Sequence, residues 1–358
     1  MADDQPDASP ISYRDAGVDI DAKMQVVERL KQHARVTLGS RAGPIGHFGG
    51  TYRIPASPDQ ILVASADGVG TKLRLAFVLG GDAHTAVGRD IVHHCVNDIV
   101  ALGAKPLFFL DYFATGRLDP ETVTLVVSGV ADACHGNGMA LLGGETAEMP
   151  DMYAPGEYDL AGFIVGTVSP DAIVDGSAIV PGDVVIGLPS TGLHTNGYSL
   201  ARKILGLTGD HVHDASVLAE PLPGGGRHGT VGDALIAEHR SYLHDVGPLL
   251  KADLVRGMAH ITGGGLRDNL PRTLPDTCIA RLDPTTWRVP GVFRYLVERG
   301  GVVAEEQHRV FNMGIGFCLI VRPEDRDTVL EQLAGAIQVG EIVARKTNDE
   351  ASVQGLPC

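Results

Sequence analysis

Asp67-Gly-Val-Gly-Thr-Lys72 closes an apolar run, Ile61 to Ser65, and packs a carboxylate, two glycines, a hydroxyl and an ammonium into six residues. Turn glycines expose backbone N–H groups, and Thr71 and Lys72 can reach phosphate oxygens, so the segment suits a phosphate-bearing ligand. It is not a Walker A loop, because the required glycine spacing and the Gly-Lys-Ser/Thr ending are absent. On its own so short a Gly-x-Gly reads as an ordinary turn; the adjoining Asp67 gives it weight. Two more carboxylates stand in unusual places. Asp98 falls inside the apolar arc of a helix, and Glu145 follows Gly143-Gly144 at the end of an apolar run. A carboxylate on a buried face must be paired, hydrogen-bonded or held on a metal. For Asp98 the plainer reading is a cap on a neighbouring helix or a pair with an arginine. Three acidic residues placed this way suit Mg²⁺, which takes oxygen ligands and bridges carboxylates to substrate phosphates. The run His93-His94-Cys95 invites zinc, but successive helical residues point in different directions and do not converge on one ion.

The elements that must hold these groups follow from periodicity. At 100° per residue over Thr85 to Gly103, Val87, Ile91, Cys95, Ile99 and Leu102 form one apolar arc, with Asp98 between Val87 and Ile91. Asp90, His94 and Asn97 line its edge. An earlier helix is expected over Asp15 to Leu38, followed by a glycine-rich loop, Gly43 to Gly50. Ile61 to Ser65, Leu107 to Phe113, Met139 to Leu142 and Leu160 to Val168 read as strands. Asp119-Pro120-Glu121 opens a helix that Gly136-Asn-Gly138 stops. A polar, proline-bearing stretch from Ser169 to Gly182 marks a domain boundary. Beyond it, strands are expected at Asp183–Leu188, Gly316–Val321 and Ile337–Ala344, and helices at Gly197–Leu205, Ala234–Leu250, Gly291–Arg299 and Glu324–Ala334. Pro221 to Gly232 reads as a glycine-rich loop. The fold class is α+β, as two mixed α/β domains: a flexible tail over 1–14, an N-terminal domain over 15–174 and a C-terminal domain over 175–358.

Composition narrows the function. The 358 residues carry a formal charge of −15, which argues against general attraction to nucleic acid. No window approaches the ~20 apolar residues of a membrane span, and the acidic, proline-bearing start does not resemble a signal peptide. A soluble cytoplasmic protein is expected. The five cysteines are scattered without a Cys-x-x-Cys pair, as in a reduced thiol inventory. The 46 glycines cluster beside polar residues and abut apolar strands, an arrangement that lets backbone approach a ligand closely.

Taken in order, the segments resemble the phosphoribosylformylglycinamidine cyclo-ligase family, also called aminoimidazole ribonucleotide synthetases. The matching stretches are Ser12-Tyr-Arg-Asp-Ala-Gly-Val-Asp19, Asp67-Gly-Val-Gly-Thr-Lys-Leu73, Cys95-Val-Asn-Asp98 and Pro106-Leu-Phe-Phe-Leu-Asp-Tyr112. Gly143-Gly-Glu-Thr-Ala-Glu-Met-Pro150, Tyr158-Asp-Leu-Ala-Gly-Phe163, His194-Thr-Asn-Gly-Tyr-Ser199, His260-Ile-Thr-Gly-Gly-Gly265 and Phe311-Asn-Met-Gly-Ile-Gly316 complete the series. Single pieces are shared with sister families; the whole series is specific.

The resemblance implies a homodimer whose N-terminal sheets pack together, a C-terminal sheet covered by helices, and ATP with Mg²⁺ as cofactors. It implies ATP-dependent closure of formylglycinamidine ribonucleotide to aminoimidazole ribonucleotide. The metal would be held by Asp67, Asp98 and Glu145. Lys31, Gly68, Gly70, Thr71, Lys72 and Asn97 would handle the nucleotide, and His194, Asp98 and Lys72 would take part in catalysis. Thr195 and Asn196 would face the substrate, and Thr262, Gly263 and Gly264 would cradle its ribose phosphate, or else form a simple turn into the next helix. Where this chain has Thr195 the family often has Ser, which keeps the hydroxyl; His47 stands where another glycine is expected. Thiamine-phosphate kinase, formylglycinamide ribonucleotide amidotransferase and selenophosphate synthetase share the fold and the ATP chemistry. The amidotransferase needs a glutaminase that nothing here resembles, and the selenium enzyme an early reactive Cys, whereas the first here is Cys95. A non-catalytic nucleotide-binding regulator would be favoured by loss of Asp67, Asp98 or His194, and all three are present.

Overall fold

Two β-sheets with helices packed on them organise the computed structural model, which describes residues 12–16, 21, 40–44, 47–54, 57 and 59–357. Lys31 and most of the expected first helix lie outside the described residues. Among the described residues the first sheet has five strands, β1 (Gly50–Arg53), β2 (Ile61–Gly68), β3 (Lys105–Thr115), β4 (Ala140–Glu148) and β5 (Tyr158–Val168), in the order β1-β2-β5-β3-β4. Only the β3–β4 pair is parallel. β4 runs past the expected end at Leu142 and takes Gly143-Gly-Glu145 into the sheet.

One face of this sheet is closed by the Asp82–Val100 helix. Val87, Ile91, Cys95 and Ile99 are buried with Val63, Phe109, Leu160 and Ile164 in one cluster, as the apolar arc requires. The Pro120–Gly136 helix lies against it, capped by the Asp119 side chain accepting from the Thr122 N–H at 3.1 Å. The two helices meet backbone to backbone. A Cβ on Gly88 would fall 2.1 Å from the Val126 carbonyl oxygen, and one on Gly129 would fall 2.0 Å from that of Thr85. Any larger residue at either glycine forces the helices apart.

The opposite face carries side chains of alternate parity. Rows such as Ala66–Phe163–Leu110 run across β2, β5 and β3, and Phe163 is 45 % exposed, Leu110 38 % and, on β4, Leu142 62 %. An apolar sheet face of this kind is unusual for a lone chain.

The second sheet has six strands, β6 (Val184–Pro189), β7 (Gly257–His260), β8 (Cys278–Leu282), β9 (Ile315–Val321), β10 (Ile337–Ala344) and β11 (Val353–Gln354), in the order β11-β8-β10-β6-β9-β7. Strand β9, between β6 and the edge strand β7, is buried throughout. One expected element is corrected here: Ala234–Leu250 is not a continuous helix. A helix at Val231–Ile236, started by a Thr230–Asp233 capping box, and another at Leu243–Lys251 flank an irregular stretch over 237–242. The backbone of that stretch bonds to the first domain instead. Among the described residues no helix is long and apolar enough to cross a membrane.

Candidate active site between the two sheets

Asp67 ends β2, and its Oδ1 accepts from the Gly68 N–H at 2.7 Å. Asp98 projects from the long helix toward the same strand, where Ser65 Oγ donates to its Oδ2 at 2.8 Å. Between them His94 places Nε2 2.8 Å from Asp67 Oδ2 and Nδ1 2.6 Å from Thr195 Oγ1. The misplaced carboxylate is therefore explained by tertiary partners: its other oxygen, Oδ1, lies 2.9 Å from Nδ1 of His260 at the end of β7. Among the described residues its hydrogen bonds go to neither a helix cap nor an arginine, although Arg272 is close enough to feel its charge.

The His194-Thr-Asn196 turn comes from the second domain, and His194 has a positive φ of 63°, a strained conformation for a non-glycine residue. Its ring stacks on His239 at 4.0 Å between centroids. Gly316 permits this, since a Cβ there would meet His194 Cε1 at 2.5 Å and Tyr242 Oη at 2.1 Å. Nε2 of His194 accepts from the Thr191 N–H at 3.2 Å, so in the neutral ring Nδ1 carries the hydrogen, and that buried atom has no hydrogen-bond partner among the described residues. Asn196 reaches the Thr262-Gly263-Gly264 turn, where a Cβ on Gly263 would stand 3.1 Å from Asn196 Oδ1. The helix after that turn is only Gly265–Asn269, too short for a strong N-terminal dipole. Gly70 and Thr71 stay exposed beside the second domain, with Thr71 Oγ1 3.0 Å from Ser199 Oγ.

Lys72 is placed differently from the phosphate ligand expected of it. It is 0 % exposed, its Nζ lies 2.6 Å from Asp90 Oδ2 and it donates to the Ala237 carbonyl at 2.8 Å. Its ammonium is committed inside the protein. Asn97 likewise faces the second domain: its Nδ2 donates to the Arg240 carbonyl at 2.8 Å and its Oδ1 accepts from the Tyr242 N–H at 2.9 Å. Both roles come from tertiary contacts that neither helix face announces.

Glu145 is not brought to Asp67 and Asp98 within the chain. The register Gly68–Ala161–Tyr112–Glu145 puts it three strands across the sheet, about 14 Å at the usual strand spacing, and it is exposed. The neighbouring row, Asp67–Gly162–Asp111–Gly144, holds a further acidic residue that the sequence reading passed over. Asp111 is buried, and that burial raises its pKa.

Electrostatics separate the four clustered imidazoles. Burial opposes charge on His94, but Asp67, then Asp98 and Asp90, outweigh it and raise its pKa to about 9. His239 and His194 go the other way: burial first, then neighbouring imidazoles, hold both well below the usual histidine range. His260 is also lowered by burial, with Asp98 resisting. Asp67, His94 and Asp98 bring their ligand atoms within 4.8 Å of one another. The carboxylate pair fits Mg²⁺: it offers hard oxygen donors, and the Asp67 side chain is 44 % exposed, leaving room for water or phosphate oxygens.

Family models for AIR synthase related proteins match this chain over both sheets, the N-terminal domain over residues 47–168 and the C-terminal domain over 180–351. The fold and the cleft between its sheets thus define a two-domain AIR-synthase-related protein. Within that class, a phosphoribosylformylglycinamidine cyclo-ligase of Burkholderia pseudomallei (strain 668) is 50% identical over 353 residues, 98% of this chain and 96% of that one. The chain belongs to the phosphoribosylformylglycinamidine cyclo-ligase family. More distant structures share the fold: AaThiL complexed with AMPPCP and TMP (TM-score 0.63, 13% identity, 95% of this chain and 96% of that one), and the hydrogenase maturation protein HypE in complex with ATP (TM-score 0.58, 19% identity, 82% and 80%).

Proposed function

We propose that this chain closes the imidazole ring of aminoimidazole ribonucleotide, using ATP to turn the formyl oxygen of formylglycinamidine ribonucleotide into a leaving group. The oxygen takes the γ-phosphoryl group as ADP departs; the ribosylated amidine nitrogen then bonds to the same carbon, and phosphate leaves. The observation that carries this reading is the convergence of the Asp67–Asp98 pair with the His194-Thr195 turn, in a chain half identical to a named cyclo-ligase.

Phosphoryl transfer depends chiefly on positioning and charge neutralisation. Bound Mg²⁺ would neutralise phosphate charge, with Asp67 and Asp98 as its protein ligands. Gly70 and Thr71 offer a backbone N–H and a hydroxyl to the nucleotide, and Gly68, whose N–H is held by Asp67, leaves the approach to them free of a side chain. His194, kept neutral by burial, presents Nδ1–H as a hydrogen-bond donor. Asn196, Thr262, Gly263 and Gly264 line one turn-to-turn surface for the ribonucleotide. Lys72 acts as a positioning residue, tying the nucleotide loop to the long helix. In this arrangement the 15–174 domain serves ATP and the 175–358 domain serves the substrate. The bound ATP of the HypE structure shows that another protein of this fold takes the same nucleotide.

Purified chain with Mg-ATP is expected to release ADP slowly, and much faster when formylglycinamidine ribonucleotide is added, with one aminoimidazole product per ADP. ADP release indifferent to that substrate would sink the proposal and favour a sister kinase activity.

The open face of the first sheet is the dimerisation surface in this reading, since a second copy would cover Phe163, Leu110 and Leu142. Phe163→Glu points its charge away from the chain's own core. Light scattering is expected to show a dimer for the parent and a folded monomer for the variant; a monomeric parent would refute the dimer.

A further inference from the structure

We propose that Arg272 is a positioning residue for the ribonucleotide substrate, fixing the 262–265 turn through Asn269 and tying it to the His47-Phe48 backbone of the first domain. In the ring-closing reading above, on which this rests, that turn meets the substrate's ribose phosphate. The turn needs an organiser other than a helix dipole, because the helix behind it is only Gly265–Asn269. A 3-10 turn, Leu270–Arg272, continues that helix. Residues three apart eclipse in such a turn, which brings Arg272 over Asn269.

Asn269 is 2 % exposed, and both ends of its amide are engaged. Its Nδ2 donates to the carbonyls of Gly265 at 2.8 Å and of Thr262 and Gly263 at 3.3 Å each. Its Oδ1 accepts from Thr262 Oγ1 at 3.2 Å and from Arg272 at 3.4 Å. In a trans peptide the N–H lies opposite the C=O. Turning the Thr262 and Gly263 carbonyls onto Asn269 therefore sends the Gly263 and Gly264 N–H groups the other way, and neither donates to a backbone carbonyl of the described residues. Two such N–H groups side by side suit a phosphate oxygen. Asp268 stands beside Gly264, and Arg309 and Arg267 offset its charge. The rest of the guanidinium reaches the first domain. It donates to the His47 carbonyl at 2.9 Å and lies 3.9 Å from the centre of the buried Phe48 ring. Only the backbone of His47 is used, so a histidine serves where a glycine was expected. Gly49 presses the same strand of chain onto β2, where a Cβ would stand 2.8 Å from Val63 Cγ1.

Arg272→Lys keeps the charge but loses the planar fork and the stacking face. In the full-length chain, with the fold confirmed by circular dichroism, it should raise the KM for formylglycinamidine ribonucleotide about 10- to 100-fold, as for lost hydrogen bonds to a charged group. The kcat should stay within about threefold and the KM for ATP within about twofold, a split that marks lost substrate binding rather than a loosened fold. Calorimetric affinity for the ribonucleotide, measured without ATP, should fall by the same factor as the KM rises. Phe48→Leu removes the ring under the guanidinium and should raise the same KM by about fivefold, within the range of a cation–π contact; it decides the matter if Arg272→Lys does not fold. An unchanged substrate KM overturns the proposal. So does a loss confined to kcat and its Mg²⁺ dependence, which would mean that the charge of Arg272 acts on Asp67 and Asp98 instead. A parent that binds the ribonucleotide without converting it sinks ring closure, while the affinity comparison still decides the role of Arg272. A parent that does not bind it overturns both.

Discussion

Asp98→Asn is expected to lower Mg²⁺-dependent, substrate-stimulated ADP release by about 10²- to 10³-fold, the range seen when one member of a preorganised charge-stabilising set is removed. The substitution keeps the side-chain shape, and an amide can still bond Ser65 Oγ, now 2.8 Å from the carboxylate. What it removes is a negative charge at a point where Asp67 supplies the only other carboxylate of the three-residue cluster. Oligomeric state and thermal unfolding should change little. The readout is steady-state ADP release at several Mg²⁺ concentrations, with product formation followed in parallel. Turnover within twofold of the parent would take Asp98 out of the metal site.

Lys72→Met should cost about 3–5 kcal/mol of stability, the usual consequence of leaving one member of a buried ion pair without its partner. Both side chains are 0 % exposed. Burial pushes the Asp90 carboxyl up against the pull of the ammonium 2.6 Å away and of the His239 N–H, which donates at 2.7 Å. The distinguishing experiment is a double variant. Lys72→Met with Asp90→Asn removes both charges and should be clearly more stable in urea than Lys72→Met alone. If the single variant unfolds within about 1 kcal/mol of the parent, the pair is not holding the domains. A phosphate-binding lysine would instead raise the KM for ATP and leave the urea midpoint in place.

The long helix was legible because its signal is local. Apolar spacing identified its buried arc, and Asp98 stood out as the residue that violates it. The Asp119 cap, β2 to β5 of the first sheet and β6, β9 and β10 of the second follow equally local rules; the short strands β1, β7, β8 and β11 gave no such signal. Lys72 shows where such reading stops: glycines, a hydroxyl and a lysine in one turn describe a phosphate loop, and nothing in the hexapeptide reveals Asp90 waiting one helix later. Glu145 misled for a related reason, since Gly143-Gly144 looked like the end of a strand but lies within one, and the sheet register carries the carboxylate away from Asp67. His239 gave no signal at all. It sits in the 237–242 stretch, inside a segment whose apolar spacing suggested continuous helix. Its partners Asn97 and His260 are more than a hundred residues before it and about twenty after it. Periodicity identifies the face a residue occupies within its own element. It does not identify what another element brings to that face.

The junction between the domains has an evolutionary consequence. On the long-helix side it is made by side chains, Asp90, His93 and Asn97, joined by Lys72 from the preceding turn; on the other side the atoms they grip are the main-chain groups of Ala237, His239, Arg240 and Tyr242. A latch of this kind reads the path of the 237–242 segment and ignores its lettering. Mutational drift should therefore be asymmetric. Substitutions that keep the backbone path leave these hydrogen bonds intact, so new side chains can be tried at the half-buried positions Ala237, Glu238, Arg240 and Ser241, whereas buried His239 and Tyr242 are held by their own packing. Changes at Lys72, Asp90 or Asn97 break it at once.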